Sequence, residues 1–295
     1  MDRCDIACAE WERRAGLVTN AVSRIGVCSW SLQPASASDL ALAVHDAGLD
    51  AVQLALDPVR TGAMPLPAVR DALAAAGVSI LSGMMAMADE DYTTLDTIRR
   101  TGGIVPDATW PANLTAARQN ARLAGALGIG LVTFHAGFVP HDARDARHGK
   151  LVERLRTLAA VFADEGVAIA LETGQESAAT LLELIDALGE ARVGVNFDPA
   201  NMILYGMGEP VAALRRLAAH VTQVHIKDAC ASPVPGAWGV EVPAGEGDVD
   251  WPAFFAVLAA HDVRADLVIE REAGERRVAD VRAARTLIVR ARGGA

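Results

Sequence analysis

The chain is poor in aromatic residues, 4% of 295, and holds only four cysteines. Cys4, Cys8, Cys28 and Cys230 make no Cys-x-x-Cys pair and no dense framework. This argues against a disulfide-stapled scaffold and fits reduced thiols in the cytoplasm. Cys4 and Cys8 lack the second nearby pair of Cys or His that a zinc knuckle needs. No apolar run reaches the about 18 residues that span a bilayer, so no membrane segment is expected. Residues 1–23 mix Asp, Arg and Glu with Cys, Trp and Ala, without the basic-then-apolar order of a signal peptide. They are expected to form an N-terminal extension outside the folded domain. Basic residues are also short: 27 Lys and Arg against 37 Asp and Glu leave a net charge of −10. That balance argues against a nucleic-acid partner. Neither Gly-x-Gly-x-x-Gly nor a Walker loop occurs, which counts against an open doubly wound nucleotide-binding sheet.

Apolar residues, at 52%, are plentiful enough for a large core. Their pattern predicts eight strand–helix units. Short, mostly apolar strands are expected at 24–29, 50–56, 78–84, 131–135, 167–172, 193–198, 222–227 and 266–270. Such strands suit a parallel sheet covered on both faces. Helices with one apolar stripe alternate with them, many closed by Gly at positions such as 48, 77, 128, 166 and 189. No linker divides the chain. The fold class is therefore α/β, a single (β/α)8 TIM barrel over residues 24–295. Residues 85–111 break the rhythm as a long loop after strand three, where Asp89, Glu90, Asp91 and Tyr92 either face the site or lie in solvent. Residues 231–248 form a second Gly- and Pro-rich loop.

Four successive strands end on residues that hold metals: Glu172, Asp198, His225 and Glu270. They lie 26, 27 and 45 residues apart, so only the fold can join them. Strands five to eight of a barrel lie side by side, and their carboxyl ends converge where barrel active sites are built. Three carboxylates meeting without a cation would repel one another, and a divalent ion removes that objection. Mn and Mg suit this oxygen-rich set, with Zn and Co admissible because of the imidazole.

The segments that carry these residues are TFHAG at 133–137, ALETG at 170–174, NFDPAN at 196–201, QVHIKD at 223–228, GEGDVDW at 245–251 and VIEREAG at 268–274. In these the chain resembles the sugar phosphate isomerase/epimerase group of the xylose-isomerase-like TIM barrel superfamily. The resemblance implies one divalent metal on Glu172, Asp198, His225 and Glu270. It implies proton transfer next to a carbonyl through a metal-stabilised enediolate, with Glu172 and Glu270 as the acid/base pair. It further implies a sugar, sugar phosphate or cyclitol substrate, a place in carbohydrate metabolism, and a homodimer or homotetramer.

Neighbouring residues are candidates for substrate contact. His135 ends strand four and can hydrogen-bond a hydroxyl. Asn201 follows Asp198 by three residues. Lys227 and Glu272 each lie two residues past a ligand; Lys227 can meet an anionic substrate group or pair with Asp228 or a nearby carboxylate. Trp30 and Trp238 can cover an apolar sugar face or pack in the core. Related endonucleases carry a histidine shortly after the strand-six Asp; Asn201 stands there, and no Asp-x-His follows His225. Ketose 3-epimerases place an Arg beyond the strand-seven His, and residues 228–233 contain none. The alternatives to an isomerase or epimerase are an inosose-type dehydratase, a non-catalytic sugar-binding barrel and, last, an endonuclease.

Overall fold

In the computed structural model, residues 23–142, 144–234 and 236–293 are described. Cys4, Cys8 and nearly all of the expected N-terminal extension lie outside them.

Eight parallel strands close a barrel. They are β1 (Ile25–Cys28), β2 (Ala51–Ala55), β3 (Ser79–Met84), β4 (Leu131–Phe134), β5 (Ala168–Glu172), β6 (Val193–Phe197), β7 (Val221–Ile226) and β10 (Asp266–Ile269). β1 closes the ring by pairing with both β2 and β10. Two short strands, β8 (Asp228–Cys230) and β9 (Val240–Val242), form an antiparallel hairpin beyond β7. Eleven helices are present among the described residues. Those between barrel strands are α1 (Ala37–Asp46), α2 (Leu56–Arg60), α3 (Leu66–Ala75), α4 (Leu95–Thr101), α5 (Trp110–Leu127), α6 (Ala146–Ala163), α7 (Ala178–Leu188), α8 (Pro199–Tyr205), α9 (Pro210–Leu217) and α10 (Trp251–Ala260). α11 (Arg277–Ala291) ends the described fold.

The eight expected strands all form, with boundaries within two residues. Three short helices and the hairpin depart from expectation. α2 begins at Leu56, where the second strand was expected to end. α4 sits inside the long loop because Thr94 and Thr97 cap each other: each threonine's hydroxyl accepts the other's backbone N–H, at 2.9 and 3.0 Å. α8 starts at Pro199, a residue preset for the first helical turn.

Alternation splits each strand between two environments. Val27, Val52, Leu54, Val132, Phe134, Ile169, Leu171, Val195 and Phe197 join one large core with the helices. On the inner face the strands carry small or polar side chains. Leu131, Ala168 and Ala170 form a separate small apolar cluster there. Above it lie Gln53, Ser82, Thr133, Asn196 and Gln223, all buried. The barrel interior therefore holds a polar layer where branched aliphatics more often sit.

Candidate metal centre and the cavity above it

The four strand-end residues meet. One ligand atom from each of Glu172, Asp198, His225 and Glu270 lies within 4.8 Å of the others, and all four residues are buried. His225 Nδ1 is 3.4 Å from Glu172 Oε1, 3.7 Å from Asp198 Oδ2 and 3.4 Å from Glu270 Oε2. Glu172 and Glu270 approach from two sides, since β6 and β7 lie between their strands.

Local folding aims each group. Asp198 is the N-cap of α8, and its Oδ1 accepts the Asn201 backbone N–H at 3.0 Å. This leaves Oδ2 buried without a hydrogen-bond partner. Thr173 locks the same turn, donating to the Asp198 carbonyl at 2.9 Å and accepting the Asp198 N–H at 2.8 Å. Gly174 has φ of +141°, and a Cβ there would stand 2.5 Å from Asn201 Cβ. The glycine of ALETG thus lets Asn201 approach Glu172, to which its amide donates at 2.9 Å.

His225 is oriented from below. Gln53 donates from Nε2 to Thr133 Oγ1 at 2.8 Å and to the Gly83 carbonyl at 3.4 Å. Its Oε1 therefore faces the imidazole and accepts from His225 Nε2–H at 2.7 Å. The Nδ1 lone pair then points at three carboxylates, again without a hydrogen-bond partner. Two buried, unpartnered acceptors facing each other in a ring of carboxylates are the atoms a cation would satisfy. The donor set fits a hard divalent ion.

The electrostatics agree. Burial pushes Asp198 up to about 6, despite Lys227 and His225 beside it. Burial opposes charge on His225, but the anionic groups around it, Glu172 and Glu270 among them, outweigh it and raise its pKa well above the usual imidazole value. Without an ion, a proton takes the cation's place. Burial also opposes ionisation of Glu270 and Glu172. Lys227 and His225 overcome it for Glu270, holding it well below the usual range, and His135 and His225 overcome it for Glu172. The Cys28 thiol lies 3.7 Å from His225 Nε2, and burial pushes its pKa up, so it stays a neutral neighbour.

A cavity of about 530 Å³ adjoins this cluster, and of its four residues Glu270 lines it. Of the expected contact residues, Trp30, His135, Asn201 and Glu272 line it, as does Trp238. Trp30 donates its indole N–H to Glu270 Oε1 at 2.8 Å. His135 Nε2 is 3.5 Å from Glu172 Oε1. Lys227 is placed differently. It is buried behind the wall, donating to Glu270 at 3.0 Å, to Asn201 at 3.3 Å and to Glu272. Asp228 is not its partner. That carboxylate turns away and accepts four backbone N–H groups, from Ala229, Gly245, Gly247 and Val249, and the Trp251 indole N–H at 2.8 Å. The segment GEGDVDW is therefore a loop wrapped on Asp228.

From the long loop, Glu90 and Tyr92 reach the cavity; Asp89 and Asp91 do not line it. Glu90 is held by the Gly103 N–H at 2.9 Å, and Gly103 packs so closely on Ala136 that a Cβ would fall 2.0 Å from its carbonyl oxygen. Sequence reasoning missed Gln53, Asn196 and Gln223. A signal existed: each is the lone amide of its strand, and Asn196 and Gln223 stand two residues before a ligand, on the same face.

The family described as Xylose isomerase-like TIM barrel matches residues 41–288. The chain belongs to that family. A xylose isomerase domain protein from Planctomyces limnophilus is 32% identical with a TM-score of 0.83, over 92% of this chain and 98% of that one. A xylose isomerase-like TIM barrel protein from Mycobacterium smegmatis, solved with magnesium, has 18% identity and a TM-score of 0.69, over 91% and 96% of the two chains. An L-ribulose 3-epimerase has 20% identity and a TM-score of 0.68, over 91% and 94%. An uncharacterized protein of Escherichia coli strain K12, YihM, is 33% identical over 118 residues, 35% of this chain and 36% of that protein's length. No described helix is long and apolar enough to cross a membrane.

Proposed function

We propose that the protein is a divalent-metal-dependent isomerase or epimerase that moves a proton at the carbon next to the carbonyl of a sugar or polyol ketone. The observation that carries this is the pair of buried, unpartnered atoms, Asp198 Oδ2 and His225 Nδ1, set between two ionised glutamates, one of which, Glu270, lines a cavity of small-ligand size. A divalent ion held by Glu172, Asp198, His225 and Glu270 supplies Lewis acidity toward the ketone and its neighbouring hydroxyl, favouring charge that develops on those oxygens.

The chain's own groups do the rest. Glu172 and Glu270 are ionised and lie on two sides of the site, so one can remove a proton and the other return it. His135, near Glu172, can exchange a proton with a substrate hydroxyl. Asn201 holds Glu172 and Lys227 together, and the Trp30 indole holds Glu270, so neither carboxylate swings as a proton moves. Two epimerases, L-ribulose 3-epimerase and D-allulose 3-epimerase, share the fold and support the class. So, more distantly, does a probable 3-DHS dehydratase, whose chemistry the same acid/base pair would permit.

The test is incubation of the Mn-loaded protein with ketoses and inososes in heavy water. Deuterium at one carbon beside the carbonyl is the expected result. Exchange into none of them, with Mn bound, would reduce the site to a sugar-binding barrel.

A further inference from the structure

We propose that the substrate is an unphosphorylated, uncharged polyol ketone, bound with an apolar C–H face against an aromatic wall, and that the protein rejects phosphorylated and carboxylated analogues. This rests on the isomerase or epimerase activity proposed above and adds the charge class of what the cavity accepts.

The first observation concerns the place where a TIM barrel commonly seats a phosphate, in the loops after the seventh and eighth strands. An anion there needs free backbone N–H groups. In this chain its own carboxylates have taken several of them. After β7, Asp228 accepts the N–H groups of Gly245, Gly247 and Val249, at 2.8, 3.2 and 3.2 Å. Asp248 accepts that of Ala231 at 2.7 Å. After β10, Glu241 Oε1 accepts the N–H groups of Glu272 and Ala273, at 2.9 and 3.2 Å, and is also bound by Arg271. The Arg271 N–H is held by Ser31 at 2.8 Å. An incoming phosphate would meet carboxylates there where it needs donors.

The second observation is the charge of the cavity wall. Among the described residues no Lys or Arg lines it, whereas Asp57, Glu90, Glu270 and Glu272 do. The cations nearby are already paired: Lys227 with Glu270 and Glu272, and Arg60 with Asp57 at 2.9 Å. Arg99 borders the neighbouring cleft and lies over the Phe138 ring at 4.9 Å. A divalent ion and Lys227 offset the charge of three carboxylates. Glu172, Asp198, Glu270, Glu272 and Glu90 together exceed that, so the loaded site stays negative and repels an anionic tail.

The third observation is the aromatic wall. This aromatic-poor chain has seven Trp and Tyr residues, and four of them, Trp30, Tyr92, Tyr205 and Trp238, line this one cavity. Tyr205 and Trp238 meet edge to face with centroids 4.7 Å apart. Rings bind a sugar through its C–H face and give nothing to a phosphate.

The test titrates the Mn-loaded full chain with matched pairs, D-fructose and its 6-phosphate and D-allulose and its 6-phosphate. Tryptophan fluorescence and deuterium wash-in are both recorded, with inorganic phosphate as a control for direct contact with Mn. The expected result is half-saturation by the free ketose at least about tenfold below its phosphate, and a rise of about tenfold for the free ketose in Trp238→Ala with Mn affinity unchanged. Equal or better binding of the phosphates overturns the proposal, as does quenching by neither member of a pair. If no compound takes up deuterium, the isomerase or epimerase activity fails, while the fluorescence titration still decides the charge class.

Discussion

Gln53 Oε1 lies 2.7 Å from His225 Nε2, and Gln53 is itself oriented by Thr133 and the Gly83 carbonyl. A glutamine on β2 thus sets which imidazole nitrogen faces the carboxylates across the barrel. Gln53→Leu should weaken Mn binding by about 10–100-fold, the usual cost of losing an outer partner of a ligating histidine. Gln53→Glu, which keeps the acceptor, should recover part of it. Mn titration followed by electron paramagnetic resonance checks both, and unchanged affinity in Gln53→Leu would remove the residue from this role.

Glu270→Gln keeps the shape and the Trp30 contact but loses the base. Turnover should fall by about 10²–10⁴-fold, with Mn still bound, though more weakly. Full turnover with Mn present would take Glu270 out of the mechanism.

Ion binding should also stabilise the fold, because the unfolded chain cannot assemble four residues so distant in sequence. At a hundredfold excess over its dissociation constant, Mn should add about 2.7 kcal/mol, seen as a rise in Tm that EDTA reverses. A Tm indifferent to both would show that the cluster holds no ion.

Mn affinity should fall with acidity. Burial raises the pKa of Asp198 to about 6 in the ion-free protein and the surrounding carboxylates keep a proton on His225, so binding must displace the His225 proton and, below about 6, that of Asp198 as well. Calorimetry should record affinity dropping as pH falls through about 6, with proton release on binding.

Glu176 offers a pH effect separate from the ligands. It is buried with Oε1 unpartnered, and burial raises its pKa to about 8 from 4.5. The folded state holds this proton more tightly than the unfolded state. Its stabilising contribution is full below about 4.5 and is lost as pH rises through about 8. Glu176→Gln should therefore raise Tm at pH 8 and above while changing it little at pH 5. Equal Tm differences at both pH values would contradict the assignment.

Glu172, Asp198, His225 and Glu270 were legible because each interrupts an apolar run at its carboxyl end, and that position has one meaning in a barrel. Asn201 and Glu272 were legible as neighbours of those positions, His135 as the end of strand four, and Trp30 as an aromatic able to cover a sugar face. Lys227 was legible as a charged group near His225. Its pairing with a nearby carboxylate was expected, but which one was not legible, because Asp228 is adjacent in the chain but turned into its own loop. Glu90 and Tyr92 were indistinguishable from solvated loop residues, since Gly103 and Ala136 position Glu90 through a close backbone approach that no local pattern encodes.

Periodicity along the chain was enough for eight alternating units and for the residues that end them, because 3.6-fold and twofold repeats are local properties of a backbone. Which amide turns Nδ1 of His225 inward, which carboxylates fill the loops after β7 and β10, and which aromatic rings share one wall were settled only on closure of the ring. Those contacts join residues up to 240 positions apart, Trp30 to Glu270 and Ser31 to Arg271 among them. Their geometry depends on strand order and register, which side-chain chemistry read one position at a time does not carry.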